Sequence, residues 1–295
     1  MGQDNKYHGR GKGGDITILP LFTILLYTIR VAILKQRDDN MNYLRQSKQF
    51  ITHLLGVDVY GLRSRIIRII PRKKRQAAWF SYESIIQSII EKHRIDLILD
   101  VGANTGQFTL DIREFYRGQV ISFEPVVQSF TTLEKAAAND SNWYVVNCAL
   151  GNESKEENIN VYESNDFSSL LEATNYSKKH FGKMTASCKK ELIQIRRLND
   201  ILDELPVRVD DKRILLKLDT QGYDLEVFRG SSNIRNNIVA LQSEVSHQPI
   251  YENMPHWLNA IDEYEKAGFT LVGLFPITRD GLHYVESDCL MIKTS

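Results

Sequence analysis

The stretch Leu99–Phe108 reads LDVGANTGQF, and it decides the fold. A buried strand ends at Asp100, the chain turns through Gly102 and Gly106, and a helix begins. Glycines suit such a turn because a side chain would block a ligand from approaching the backbone. The free N–H groups at the start of the helix then face the same ligand. The stretch therefore predicts a ligand-binding strand-turn-helix unit of an α/β fold.

Nicotinamide dinucleotide sites carry G-x-G-x-x-G at this place, and the chain departs from that pattern. Asn104 stands where the second glycine would be, and Gln107 follows the third. A pyrophosphate needs the second glycine for close approach to the backbone, so the pattern favours a smaller ligand without phosphates. For this motif alone, a tight turn that binds nothing stays an alternative.

Short apolar runs alternate with helical segments after Ile95, which is typical of a parallel sheet with right-handed crossovers. We predict strands over 96–101, 119–123, 143–150, 213–218 and 238–244, and a closing pair over 269–275 and 288–293. Helices are predicted over 105–116, 127–138, 225–233 and 257–267. Polar material from 151 to 199 interrupts the alternation, with strands expected at 159–163 and 192–196 and an irregular loop near 167–171.

Several predicted strands carry a polar side chain at the carboxyl end, where open α/β sheets bind ligands. Glu124 follows the glycine turn by about twenty residues, where an acidic side chain typically accepts both hydroxyls of a ribose. Asp219 ends the strand that contains Lys217, and we expect Lys217 to pair with a carboxylate because an unpaired buried charge is costly. Glu244 and His247 lie just past the next strand. A solvated side chain is the alternative at each position.

Asp219, Glu244 and His247 are the candidates for a general base, since imidazole and carboxylate groups take protons from hydroxyls. The same three residues suggest a metal site only weakly, because no close-spaced pair of ligands accompanies them, and we expect no metal.

The N-terminal part reads differently from the remainder. Residues 1–40 form a poorly defined apolar and basic segment, and 41–94 have a helical pattern that predicts an extension to the catalytic domain at 95–295. The apolar run 16–34 is nearly long enough to span a bilayer, although Arg30 interrupts it. A membrane anchor, an interfacial helix, a helix packed on the domain, and a natural start at Met41 all stay open. The basic stretch 62–75 either contacts an anionic membrane surface, attracts an anionic substrate, or is a solvated helix face.

Composition narrows the class of partner. Lys plus Arg and Asp plus Glu both number 37, which argues against a general nucleic-acid binder. The three cysteines (148, 188 and 289) are far apart and fit a reducing compartment. We therefore expect a cytoplasmic protein, with peripheral membrane contact through the N-terminal region left open, and the oligomeric state unknown.

Taken together, these segments resemble the FkbM family of S-adenosylmethionine-dependent methyltransferases from about residue 96 to 293. The resemblance rests on DVGANTGQF (100–108), SFEP (122–125), CALGN (148–152), LKLDTQGYDLEVFRG (216–230), SEVSHQPIYE (243–252) and GFTLVGLFP (268–276). It implies a Rossmann-like class I methyltransferase fold, with a mostly parallel seven-stranded sheet, helices on both faces and the helical N-terminal extension.

The resemblance also implies S-adenosylmethionine as the cofactor and assigns residues to it by position. At the methionine end it places Asp100, Gly102, Asn104 and Gly106. Glu124 is expected at the ribose, and Cys148, Ala149 and Leu150 are expected beside the adenine. Asp219 is also expected to bind the cofactor. The family's acidic turn is usually D-V-E-G, and here it reads Asp219-Thr220-Gln221-Gly222, so the role of the missing glutamate is in doubt. The segment 166–170 (DFSSL) resembles a family loop near the reacting centre.

The activity implied is O-methylation of a hydroxyl on a sugar, a glycan or a secondary metabolite by in-line displacement. A methyltransferase fold that binds without catalysing is one alternative, and a nucleotide-cofactor oxidoreductase is a weaker one. The acceptor is expected to be a small molecule or a glycan, with specificity residues in 151–199 and 246–255 and a contribution from the N-terminal helices left open.

Overall fold

The computed structural model describes residues 81–163, 165–182 and 188–294. The described residues belong to a single compact unit. The predictions for 1–80, including the apolar run 16–34 and the basic stretch 62–75, lie outside the described residues. Within the described ranges, no helix combines the length and apolar character needed to cross a membrane. The boundaries of the three predicted regions stay predictions.

A seven-stranded sheet forms the centre of this unit, with the strand order β3-β2-β1-β7-β8-β10-β9. Its strands are β1 (Leu97–Val101), β2 (Gln119–Phe123), β3 (Trp143–Val146), β7 (Ile214–Leu218), β8 (Ile238–Ser246), β9 (Phe269–Asp280) and β10 (His283–Lys293). The first five are parallel, whereas β10 runs antiparallel to both β8 and β9. The predicted mostly parallel seven-stranded sheet is therefore confirmed.

Helices cover both faces of the sheet, as predicted. They are α1 (Tyr82–Lys92), α2 (Gln107–Ile112), α3 (Val127–Ala137), α4 (Asn175–His180), α5 (Asp224–Gly230) and α6 (Trp257–Lys266). Apolar side chains of α1, α2 and α3 share one core cluster, and those of α5 and α6 share another. In α1, Ile86, Ile89 and Ile90 are buried at the spacing of a single helix face, and the Ser81 side chain caps its N-terminus.

Strand β1 shows why the apolar runs are continuous. Leu97 and Leu99 belong to the cluster with α5 and α6, whereas Ile98 belongs to the cluster with α1, α2 and α3. A parallel strand covered by helices on both faces buries successive side chains alternately on each face. Asp100 is the charged exception in this strand, and it is fully buried.

The prediction of a single strand over 143–150 is wrong, because the chain leaves the main sheet after Val146. The Asn147 side-chain amide donates to the carbonyl oxygens of Glu124 (2.9 Å) and Pro125 (3.1 Å), which holds the break. A second, three-stranded sheet follows, built from β4 (Ala149–Gly151), β5 (Lys155–Tyr162) and β6 (Cys188–Arg197). Strand β6 pairs in parallel with β4 and antiparallel with β5, so the polar segment after 151 forms its own layer.

Other element boundaries shift for local reasons. Strand β9 continues past the predicted end at 275 and includes Pro276. Proline cannot donate a backbone hydrogen bond, but β9 lies at the edge of the sheet, where this is tolerated. Strand β10, which pairs with β9, is also longer than predicted. The predicted helices 105–116 and 225–233 are shortened to α2 and α5, the latter being followed by a short 3₁₀ turn at Ser232–Ile234.

A row of polar side chains crosses the main sheet at one level. Asp100 on β1 is in register with Ser122 on β2 and with Lys217 on β7, and Lys217 is in register with Gln242 on β8. These four residues are all buried, and we call them the polar row.

The members of the polar row satisfy one another and their neighbours. Ser122 Oγ donates to Asp100 Oδ2 (3.1 Å), and Lys217 Nζ lies 3.1 Å from Asp100 Oδ1. At one end Trp143 Nε1 donates to Ser122 Oγ (2.9 Å). At the other, the Tyr82 hydroxyl of α1 donates to Gln242 Oε1 (2.8 Å), which ties α1 to the sheet.

Candidate active site

A cavity of about 330 Å³ lies at the carboxyl ends of the parallel strands. The strand order reverses here, between β1 and β7, which is where open α/β sheets bind ligands. Its lining includes eight of the residues singled out from the sequence: Gly102, Asn104, Glu124, Cys148, Ala149, Leu150, Asp219 and Glu244.

The turn after β1 is packed directly against the turn after β7. Gly102 has a φ of +74°, and a Cβ built on it would lie 1.9 Å from the carbonyl oxygen of Asp219. Only glycine fits both this backbone conformation and this approach. The next residue but one, Asn104, also has a positive φ (47°), and its backbone N–H donates to Glu124 Oε2 (2.8 Å).

Glu124 is buried, and its two carboxylate oxygens point to different backbone donors. Oε2 accepts from Asn104, and Oε1 accepts from the Val126 N–H (2.9 Å). Burial raises the pKa of Glu124 to about 7, although both hydrogen bonds act in the opposite direction. Each oxygen keeps a second lone pair for a ligand hydroxyl, so the carboxylate can accept a pair of them.

The wall beside Glu124 is apolar. Cys148, Ala149 and Leu150 line it, together with Phe123 and Ile159. Burial raises the pKa of the Cys148 thiol to about 12, so this side chain is neutral and unreactive at physiological pH. The wall is suited to a flat apolar group.

Two predicted residues, Asp100 and Gly106, stand behind the cavity wall. Asp100 fixes Lys217, whose ammonium group also lies 3.3 Å from both Asp219 Oδ2 and the Gly102 carbonyl oxygen. Burial alone would lower the pKa of Lys217, but the two carboxylates outweigh it and raise that pKa. The expected pairing of Lys217 is thus confirmed, and it links the two turns. A Cβ on Gly106 would meet the Trp143 ring, so this residue faces the protein interior.

Gln221 is the centre of the turn after β7, with a φ of 53°. Its amide nitrogen donates to Asp219 Oδ1 (3.1 Å) and to Glu244 Oε2 (2.6 Å). The Tyr251 hydroxyl donates to Gln221 Oε1 (2.7 Å), and Ser169 Oγ donates to the Gln221 carbonyl oxygen (2.7 Å). An ionised glutamate could not donate to either carboxylate. The residue that departs from the family pattern therefore holds two of the three candidate bases in place.

Glu244 is the candidate base with the most altered environment. Burial raises its pKa well above the ordinary value, and the charges of Glu286 and Asp219 raise it further. A carboxylate with a raised pKa accepts a proton more readily near neutral pH than an exposed one does.

His247 does not line the cavity. Strand β8 continues through Ser246, and the His247 backbone N–H then pairs with the Val285 carbonyl oxygen (2.7 Å), which turns the residue away. Its Nε2 lies 2.9 Å from Ser287 Oγ, and burial lowers its pKa. The structure thus brings Asp219 and Glu244 together, with His247 outside, and its catalytic role stays a prediction.

Sequence reasoning missed the part of the lining that comes from the hairpin of β9 and β10, namely Ile277, Thr278 and Glu286. The predicted strands ended before Pro276 and resumed at Asp288, so these residues fell in the gap. The signal that could have identified Glu286 is its spacing from Asp288, because residues two apart in a strand share a face.

The loop expected near the reacting centre does line the cavity, through Asp166, Phe167, Ser168 and Leu170. The Asn104 side-chain amide donates to Asp166 Oδ1 (2.6 Å), which ties this loop to the glycine turn.

The charge of the lining is one-sided. Its described residues include five carboxylates, Glu124, Asp166, Asp219, Glu244 and Glu286, and no Lys or Arg. Such a lining favours a ligand that is cationic or neutral over one that carries phosphates. In the described part of the chain, no group of three or more His, Cys, Asp or Glu side chains is arranged to hold a metal ion.

A family model described as the methyltransferase FkbM domain matches residues 100–271, which is more than half of the chain. The match includes the glycine turn, Glu124, the turn after β7 and Glu244. No curated protein matches the chain at a significant level.

Many solved structures resemble the chain at low identity. An rRNA methylase from Streptococcus thermophilus is 10% identical, with a TM-score of 0.40, over 73% of this chain and 98% of that one. Aeropyrum pernix fibrillarin, solved with natively bound S-adenosylmethionine, is 11% identical, with a TM-score of 0.39, and the match covers 67% of this chain and 66% of fibrillarin. The magnesium protoporphyrin IX methyltransferase of Synechocystis, with bound S-adenosylmethionine, is 9% identical, with a TM-score of 0.41, over 95% and 100%. At these identities and TM-scores, neither the acceptors nor the catalytic residues of those proteins can be assigned to this chain.

Proposed function

This chain belongs to the FkbM family of methyltransferases, whose methyl donor is S-adenosylmethionine, and from that premise we propose that it methylates a hydroxyl group of a sugar, a glycan or a secondary metabolite. The observation that carries the proposal is the pair of carboxylates, Asp219 and Glu244, held on the cavity wall by Gln221. A hydroxyl must lose its proton around the time of transfer, and this pair offers the group to take it.

The residues present fit the cofactor. Glu124 would accept the two ribose hydroxyls, the apolar wall at 148–150 would border the adenine, and the Gly102 and Asp219 turns would adjoin the methionine end. When bound, S-adenosylmethionine supplies a methyl group on a positively charged sulfur and carries no phosphate. A lining with five carboxylates and no described Lys or Arg suits such a cation and disfavours a pyrophosphate. This argues against the oxidoreductase alternative.

Each residue then has a chemical task. Glu244 would take the proton of the acceptor hydroxyl, whose oxygen would gain the methyl group when the carbon–sulfur bond of the donor breaks and S-adenosylhomocysteine is left. Gln221 keeps Asp219 and Glu244 from moving apart, while Tyr251 fixes the orientation of the Gln221 amide. Tyr251 is buried and Glu244 is only partly exposed, which limits the access of bulk water to the base.

The test combines calorimetric titration with a turnover assay. We expect S-adenosylhomocysteine to bind, NAD not to bind, and Glu124→Ala to weaken the former about 10- to 100-fold through loss of charged hydrogen bonds. Glu244→Gln should leave that affinity within about twofold and lower kcat on a panel of hydroxyl acceptors by about 10²- to 10³-fold.

The matched control is Glu134→Gln on the exposed face of α3, which should change neither quantity. Tight cofactor binding without turnover of any acceptor in the panel would instead support the non-catalytic binding module. Full kcat in Glu244→Gln would remove the proposed base.

A further inference from the structure

The cavity extends across more strands than the residues assigned to the cofactor. Glu124 follows β2, whereas Glu286 belongs to β10, four strands away in the sheet order. At about 4.8 Å between neighbouring strands, the two side chains start roughly 19 Å apart. The assigned cofactor residues occupy the region of β2, β1 and β7, so the region over β8 and β10 is left for the acceptor. This inference rests on the proposed function and names the chemistry of its substrate.

Glu286 has an unsatisfied oxygen in this second region. The residue is 5% exposed, lines the cavity, and its Oε1 has no hydrogen-bond partner within the described part of the chain. A buried carboxylate oxygen without a donor is costly, and a ligand that supplies one would relieve that cost. This atom therefore marks a place where a donor group of the ligand belongs.

The charges around Glu286 define which donor fits. The carboxylates of Asp219, Glu244 and Asp288 act on the same region, and the nearest cation of the row, Lys217, is already shared between Asp100 and Asp219. Burial and then the charge of Asp219 raise the pKa of Glu286 to about 7, against hydrogen bonds from the Thr278 and Ser246 side chains. A positive group placed here would offset this crowding of negative charge.

We propose that Glu286 and Glu244 form an acceptor subsite for an ammonium group, and that the substrate is an amino sugar or amino alcohol with its amine beside the methylated hydroxyl. An ammonium group has three donors and no acceptor. Glu286 Oε1, the Glu244 carboxylate and the Thr278 hydroxyl, which also lines the cavity, provide acceptors for them. An acceptor with a phosphate or carboxylate at this position is repelled by the same groups.

The test compares probes that differ only in the amine. Enzyme saturated with S-adenosylhomocysteine is titrated with serinol and with glycerol, and with methyl aminohexosides and the matching methyl hexosides. We expect at least one amine to bind about tenfold or more tightly than its hydroxyl counterpart. Turnover of the aminohexosides with S-adenosylmethionine should show the same preference in kcat/KM.

Two variants assign the preference to the subsite. Glu286→Gln should abolish the preference for the amine while it leaves the affinity for S-adenosylhomocysteine unchanged, which also shows that the variant is folded. Glu134→Gln should keep the preference. Equal binding of amines and hydroxyl counterparts, binding of neither, or a preference that survives Glu286→Gln overturns the subsite. Failure of S-adenosylhomocysteine to bind the unaltered protein is the separate result that overturns the proposed function.

Discussion

The turn after β1 and the turn after β7 meet at the cavity, and each holds a non-glycine residue in the left-handed region, Asn104 (φ 47°) and Gln221 (φ 53°). Asparagine often adopts this conformation, whereas glutamine seldom does. In the first turn the contact to Glu124 comes from the backbone, since the Asn104 N–H donates to it, while the Asn104 side chain holds the loop at Asp166. In the second, a side chain does it, since the Gln221 amide joins Asp219 and Glu244.

The difference separates two kinds of site. A turn that binds through its backbone depends on local chain geometry, which a short run of residues specifies. A turn that binds through a side chain depends on partners from other strands, here Glu244 on β8 and Tyr251 beyond it. The first should therefore respond to changes of backbone shape, and the second to changes of charge and hydrogen bonding.

The largest expected effect is that of Gly102→Ala. Its Cβ would lie 1.9 Å from the Asp219 carbonyl oxygen at a φ of +74°, so the two turns must separate. We expect a loss of about 3–6 kcal/mol in the free energy of unfolding and no measurable cofactor binding. Thermal unfolding and calorimetric titration measure both quantities.

Gly268→Ala provides the matched control, because Gly268 has a φ of +91° and nothing within 4 Å of a built Cβ. Backbone strain alone should cost about 1–2 kcal/mol there and leave binding intact. Equal destabilisation by both substitutions would mean that the contact between the turns contributes nothing.

The next effect concerns Gln221, tested by Gln221→Glu and Gln221→Met. Both remove the donor shared by Asp219 and Glu244, and the glutamate also adds a negative charge. Because both changes disfavour the ionised base, the acid limb of the pH–rate profile should move to higher pH, by about one unit in Gln221→Glu and less in Gln221→Met. Profiles that coincide with that of the unaltered enzyme would show that Gln221 does not act on the base.

The smallest expected effect is a pH dependence of cofactor affinity. In the proposed cofactor site, ligand hydroxyls would bind the ionised form of Glu124, whose pKa is raised by burial to about 7. Affinity for S-adenosylhomocysteine should therefore be full above this pKa and fall about tenfold between pH 8 and pH 6. Calorimetric titration at several pH values measures the change.

Glu286 has a similar pKa, so two variants are needed to assign the effect. Glu124→Gln should remove the dependence, and Glu286→Gln should keep it. The opposite outcome would place the titrating group at the far end of the cavity.

Much of the fold could be predicted because its signals are local. The apolar runs of the parallel strands and the glycine turn each lie within about ten residues, and they placed Gly102, Glu124 and Asp219 at one edge of the sheet. The break after Val146 could not be predicted, because it depends on hydrogen bonds from Asn147 to Glu124 and Pro125, which directly follow β2. Strand β4 therefore read as a continuation of β3.

The candidate site was predicted in part for the same reason. Glu244 lies at a strand end and was identified, whereas Glu286 lies within an antiparallel hairpin whose length Pro276 concealed. His247 has the right residue type at nearly the right position, but one further pair of β8 residues turns it from the cavity. A one- or two-residue error in a strand end is enough to move a side chain from a site to its surroundings.

The polar row constrains how this sequence can evolve. Ser122, Asp100 and Lys217 bury polar or charged groups that pair with one another, so replacing one of them leaves a buried partner unsatisfied at a cost of about 1–3 kcal/mol. Since a domain is stable by only about 5–15 kcal/mol, few such steps are tolerated in succession. Ser122, Asp100 and Lys217 should therefore be inherited as a set, and related sequences that differ at one of these three positions should differ at its bonded partner on the adjoining strand as well.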